Sequence, residues 1–186
     1  MDSPGHTDVA RRAAFERALE EIYEPVQRYL RRRCEPHDAD EVLNDTLLTI
    51  WRRLDDVPAD RRLPWTYAVA RRCLANHRRG NVRRLRLSEK ATAGTSALPA
   101  DEWTTEADAL LHDAMGRLRE DDREVIRLWA WERLGPREIA EVLETTPNAV
   151  SVRLTKIRRT LESEISGKDR APAGHERVDG NTEEER

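Results

Sequence analysis

The sequence predicts an all-α protein made of two small helical units joined by a flexible linker. Apolar residues recur at steps of three and four throughout, and no stretch of alternating polarity lasts five residues. One Phe, three Tyr and eight Gly among 186 residues leave little material for sandwiches or barrels. The apolar share, 38%, barely exceeds the charged share, 37%, which disfavours one large core and suits two compact units.

The elements follow in order. A first helix is expected from about Asp8 to Tyr23, and Pro25 suits the first turn of a second that ends near Cys34, before the breaker Glu35-Pro36-His37-Asp38. A third spans about Asp38 to Leu54, with Ala39, Val42, Leu43, Thr46, Leu47, Ile50 and Leu54 on one stripe to be buried. After the loop Asp55 to Leu63, Pro64 opens a fourth that ends near Arg79, before Gly80-Asn81. Periodicity then fades, and Gly94, Thr95, Ser96 and Pro99 mark a linker.

Helical spacing resumes near Glu106 with Leu110, Leu111, Ala114 and Leu118. Another helix, with Val125, Ile126, Leu128 and Trp129, follows the polar corner Arg119 to Asp122. Gly135-Pro136 opens a short helix with Ile139, Ala140 and Leu143 inward. Glu144-Thr145-Thr146 turns the chain, Thr146 caps, and Pro147 starts a last helix whose Val150, Leu154, Ile157 and Leu161 face the core. The units are thus expected at 8–82 and 106–165, with a linker over 83–105 and a disordered polar tail over 166–186.

Composition also excludes. The longest uncharged stretch, Ala91 to Ala100, is rich in Gly, Ser and Thr rather than apolar, so no membrane insertion is expected. Met1 to Ala10 lacks the apolar core of a signal peptide, which points to the cytoplasm. Cys34 and Cys73 stand apart with no ligand spacing and read as small core residues. The five His (6, 37, 77, 112, 175) are scattered and no Gly-rich phosphate loop is present. No enzyme, cofactor or metal site is expected.

The net charge of −3 averages opposed blocks. Arg61 to Ser88 holds nine arginines and no acid, Asp38 to Asp60 holds seven acids, and Thr145 to Leu161 is acid-free with Arg153, Lys156, Arg158 and Arg159. Two separated basic surfaces on a net-acidic chain suggest two contacts with one polyanion. The last two helices, joined by a short turn, have the arrangement of a helix-turn-helix DNA reader. Its outward Asn148, Ser151, Val152 and Arg153 are placed to approach base edges, and Lys156, Arg158 and Arg159 to meet phosphates. In the other basic helix, arginines mixed with Tyr67 and Asn76 suit single-stranded nucleic acid, whereas Trp65 reads as core.

At these residues the chain resembles the extracytoplasmic-function sigma factors of bacterial RNA polymerase. Residues 38–54 resemble that family's core-polymerase-binding helix, 64–79 its −10 element helix, and 123–143 with 149–154 its −35-reading domain. The resemblance implies that Asp40, Glu41, Asn44, Asp45, Leu48 and Arg52 dock on the clamp helices of core RNA polymerase, and that the second unit meets the flap region. It implies that Arg61, Arg62, Tyr67, Arg71, Arg72, Asn76, Arg78 and Arg79 serve the −10 strand of promoter DNA, with one base flipped into the loop 55–63. An anti-sigma factor is a further implied partner. The chain departs from the family's usual residues at Thr49, Arg72, Asn76, Glu144 (the usual Gly of the turn) and Val152. The competing expectations are a stand-alone helix-turn-helix regulator of duplex DNA, which needs no polymerase, and a helical adaptor for acidic proteins.

Overall fold

The computed structural model describes residues 4–87 and 106–168; the greater part of the expected linker and of the expected tail lies outside them. Among the described residues there are seven α-helices, one short 3₁₀ turn and no strand. They are α1 (Pro4–Arg31), α2 (Pro36–Arg52), α3 (Arg62–Leu87), α4 (Glu106–Arg117), α5 (Glu120–Ala130), α6 (Pro136–Leu143) and α7 (Pro147–Lys168), with the 3₁₀ turn at Leu54–Asp56. Helices α1, α2 and α3 pack on one another, α7 packs on α4, α5 and α6, and α6 also lies against α3.

Four boundaries differ from expectation, one of them the end of α7, which runs on to Lys168 into the expected disordered tail. Pro25 does not begin a new helix but sits inside α1. Ala18 and Ile22 before it and Val26, Tyr29 and Leu30 after it are all buried on one face, and this packing offsets the hydrogen bond that proline removes. Gly80-Asn81 does not end α3, which runs on through 83–87, the expected start of the linker. Asn81 there bonds both His77 and Arg84, one turn away on either side. The expected corner Arg119 to Asp122 is mostly the first turn of α5, where Glu120, Asp121 and Asp122 suit the positive end of the helix.

The remaining elements form for the reasons their sequence suggests. Ala39, Val42, Leu43, Thr46 and Ile50 of α2 are buried. The buried Thr46 hydroxyl donates to the Val42 carbonyl at 2.7 Å. Thr146 Oγ1 accepts from the Ala149 N–H at 3.2 Å, capping α7, and Val150, Leu154, Ile157 and Leu161 are buried. The Gly135 N–H donates to the Glu138 carboxylate at 2.7 Å, closing the start of α6. In α6, Val142 is buried with Ile139 and Ala140, while Leu143 is only half-buried; packing against both α7 and α3 asks for apolar cover on more than one side. The buried apolar side chains of the two halves form one continuous cluster.

Candidate nucleic-acid interface

Three surfaces carry the sequence-predicted residues. On α2, Asp40, Glu41, Asn44, Asp45, Leu48 and Arg52 are all exposed, opposite the buried stripe. Leu48 is 51% exposed and borders a shallow groove with Phe15, Leu47 and Trp51. Arg11 of α1 braces the end of this helix: it donates to the Trp51 carbonyl and to Asp55, both at 2.8 Å, and lies over the Trp51 ring.

The arginines of α3 divide by partner. Arg61 meets Glu141 at 3.3 Å and Asp60 at 3.5 Å. Arg62 pairs with Glu21, and Arg79 bonds Asn76. Arg78 donates to the Arg33 carbonyl at 2.8 Å. Arg72 donates to Glu144 Oε1 from Nη2 at 2.6 Å and from Nε at 2.9 Å. Arg71 lines a cleft with Arg72, Asn76, Arg78 and Arg79. Tyr67 is corrected: it is 3% exposed, its ring 5.1 Å from that of Tyr29, and burial pushes its hydroxyl up to about 12. It is a core residue in this arrangement and not an open stacking platform. Trp65, expected in the core, is the half-buried one, with Arg53 over its ring at 5.5 Å.

On α7, Asn148, Ser151, Val152, Arg153, Lys156, Arg158 and Arg159 are all exposed on one helix that the turn 144–146 sets against α6. Val152 is 63% exposed, an apolar contact of the kind a thymine methyl can use. Arg153 lies 3.7 Å from Asp122, and Arg158 sits over the Trp129 ring at 5.8 Å. Behind this helix an apolar groove opens, lined by Leu111, Met115, Ile126, Trp129, Trp131 and Leu161.

One cluster was not expected. Arg33, at the end of α1, is buried and reaches Glu124 of α5 at 3.0 Å and Glu132 at 3.1 Å. The Tyr29 hydroxyl donates to Glu124 at 3.2 Å, and the Arg33 guanidinium lies 3.6 Å from the Tyr29 ring centre. Burial works against the Arg33 charge, but Glu124, Tyr29 and Glu132 outweigh it and hold the guanidinium above its usual range. Burial raises Glu132 against the pull of Arg33 and Arg32, and raises Tyr29 with Glu124 adding to it. The sequence offers no signal for these pairs, because Arg32-Arg33 reads as one more basic step.

Among the described residues no group of three or more His, Cys, Asp and Glu side chains could hold a metal ion. Cys34 and Cys73 are free, half-buried thiols, and burial raises Cys34 to about 11. No described helix is long and apolar enough to cross a membrane.

Comparison with known proteins bears on these surfaces. Residues 108–161 match the family described as Sigma-70, region 4. The RNA polymerase sigma factor NccH of Alcaligenes xylosoxydans xylosoxydans is 28% identical over 132 residues, 67% of this chain and 71% of the relative. The sigma factor RpoE of Bartonella quintana, solved with the anti-sigma factor NepR, is 19% identical with a TM-score of 0.63, over 84% of this chain and 98% of that one. CnrH, solved with the cytosolic domain of CnrY, is 23% identical with a TM-score of 0.56, over 84% and 90%. The last two likenesses show the fold.

Proposed function

We infer that this chain is a sigma-70-type sigma factor of the extracytoplasmic-function group, and from that premise we assign its three surfaces. The first unit, 8–82, docks on core RNA polymerase through the outer face of α2, where Asp40, Glu41, Asn44, Asp45 and Arg52 surround the open Leu48. The loop before α3 and the arginines of that helix take the −10 strand as it opens. Arg61, Arg62, Arg71, Arg72, Arg78 and Arg79 neutralise phosphate, and Asn76 faces a base. The second unit, 106–165, reads the −35 element as duplex, with Asn148, Ser151, Val152 and Arg153 toward base edges and Lys156, Arg158 and Arg159 toward the backbone.

The observation that carries this reading is the order of the three surfaces along one chain. An exposed acidic helix with an apolar centre comes first, an arginine helix second, and a helix-turn-helix whose capped second helix has no carboxylate up to Leu161 third. A stand-alone regulator needs only the third. Sigma factors as a class direct initiation rather than perform chemistry, and we read this chain as a specificity subunit that works in the cytoplasm beside polymerase. The apolar groove between α5 and α7 is a seat for the polymerase flap or for an anti-sigma factor.

Run-off transcription from genomic fragments, with core polymerase plus or minus this protein, tests the reading. A set of transcripts that depends on the protein is expected. If no promoter depends on it, and the chain does not co-elute with core polymerase, the reading falls.

A further inference from the structure

We propose that Asp122 is a positioning residue for base recognition: its buried carboxylate holds Arg153 by Nε, aims the guanidinium at one base pair of the −35 duplex and keeps it off the phosphates. The proposal rests on the assignment of α7 as the duplex-reading helix.

Asp122 lies in the first turn of α5 and is buried. Its two carboxylate oxygens have different surroundings. Oδ2 accepts from Nε and Nη2 of Arg119, at 3.3 and 3.2 Å, three residues back along the chain. Oδ1 is buried, takes no hydrogen bond from any described residue, and lies 3.7 Å from Nε of Arg153 where α5 packs on α7. The start of the helix and Arg119 are enough to account for a carboxylate at this position. They do not account for a second oxygen that is dry and unbonded, because burying such an atom costs free energy.

The core fixes both ends of this contact. Val125, Ile126 and Leu128 of α5 and Val150, Leu154 and Ile157 of α7 are all buried, so packing sets the spacing of the two helices. The Arg153 side chain is 43% exposed: part of it is held and the rest reaches solvent. At 3.7 Å the contact is an ion pair without a hydrogen bond, close enough to bias the rotamer and loose enough for the guanidinium to move onto a base. Among the described residues, Arg153 is the one base-facing side chain of α7 paired with a charge on another helix. Ser151 instead donates to the Pro147 carbonyl of its own helix at 2.9 Å.

Geometry and charge then act together. Nε is the inner nitrogen of the guanidinium, and holding it leaves Nη1 and Nη2, a pair that can meet O6 and N7 of a guanine. An arginine already placed loses less rotamer freedom on binding than a loose one. The carboxylate also offsets the arginine's charge, which weakens its attraction to phosphate more than to an uncharged base edge. Asp122 thus favours the specific contact and disfavours the nonspecific one.

The test uses core polymerase with the full chain as wild type, Asp122→Asn, Asp122→Ser, Arg153→Ala, and Asp122→Asn combined with Arg153→Ala. Asparagine keeps the shape of the side chain and loses the charge. Serine keeps an acceptor at the start of the helix and is too short to reach Nε. Each complex is bound to a pool of duplexes randomised over the length of a promoter, and the bound fraction is sequenced. Affinity for one duplex of unrelated sequence is measured by anisotropy. The position read by Arg153 is the one whose preference Arg153→Ala abolishes. Asp122→Asn and Asp122→Ser are each expected to lower the preference at that position about five-fold and to bind the unrelated duplex about two-fold more tightly. In the Arg153→Ala background, Asp122→Asn is expected to change no base preference further. A merely structural role would weaken selective and unrelated binding together, and that result in both Asp122 variants overturns the proposal. So does an unchanged preference in both, or a further change in the Arg153→Ala background. A wild-type pool with no enriched −35 sequence sinks the duplex-reading assignment of α7 itself, whereas enrichment that Arg153→Ala leaves intact sinks only the part given to Arg153 and Asp122.

Discussion

Replacing Arg33 by Met isolates the energetics of the ionic clasp. The wild-type guanidinium spans Glu124 at 3.0 Å and Glu132 at 3.1 Å, and its own side chain is 2% exposed. Removing one member of a buried ion pair typically costs about 3–5 kcal/mol, because the partner is left charged and dry. Here Glu124 keeps the Tyr29 hydroxyl at 3.2 Å and Glu132 keeps Arg32 at 3.6 Å, which places the expected loss near the lower end, about 3 kcal/mol. Parting of the two units sets a ceiling on that cost, since it returns both carboxylates to water. Urea unfolding followed by far-ultraviolet circular dichroism measures the loss.

The pH dependence has a definite sign. Burial already raises Glu132, and without Arg33 nothing in the clasp but Arg32 opposes that rise. A carboxyl whose folded pKa stands above its unfolded value contributes stability that is present below the unfolded pKa and lost as pH rises through the folded one. The deficit of Arg33→Met is therefore expected to be smallest in acid and to grow toward neutrality. A loss under about 1 kcal/mol that does not vary with pH would refute the reasoning, because it would mean that these charges are solvated in the native state.

Three further outcomes are expected. Asp45→Ala combined with Leu48→Ala, both on the open face of α2, should abolish co-elution with core polymerase while the helical circular dichroism is unchanged; normal co-elution would place docking elsewhere. Arg153→Ala should weaken specific promoter binding by about 1–3 kcal/mol and relax the preference at one −35 position, as judged by competition with substituted duplexes. At about pH 8 the native Cys34 thiol, raised from 9.0 to about 11, should be alkylated roughly ten-fold more slowly than an unperturbed thiol, the scarcer thiolate being partly offset by its greater nucleophilicity. Unfolding should abolish that protection, and rapid modification of the native chain would contradict the burial.

Much of the site was legible because its signals are local. The buried stripe of α2 leaves Asp40, Asn44, Asp45 and Leu48 outward by geometry alone. Thr146-Pro147 marks the start of α7 whatever surrounds it, since a capping hydroxyl and a proline at the first helical position act within one turn. Pro25 misled for the complementary reason. Its local preference is to start a helix, and only the shared buried face of Ile22, Val26 and Tyr29 makes continuation more favourable. Tyr67 misled likewise, because an aromatic among arginines looks like a stacking residue until Tyr29 is found against it.

From the order of residues alone come the all-helical class, the helix-turn-helix, and the blocks of opposed charge, since each depends on spacings of one to four residues. The partners of those charges do not. Arg72 and Glu144 are each a departure from the resemblance, 72 positions apart, and the sequence shows no link between them; in the fold they bond to each other. Arg33 meets Glu124 across 91 positions in the same way. Which arginine stays open to a ligand and which is closed by a carboxylate is decided where distant helices meet, and helical periodicity carries no information about that meeting.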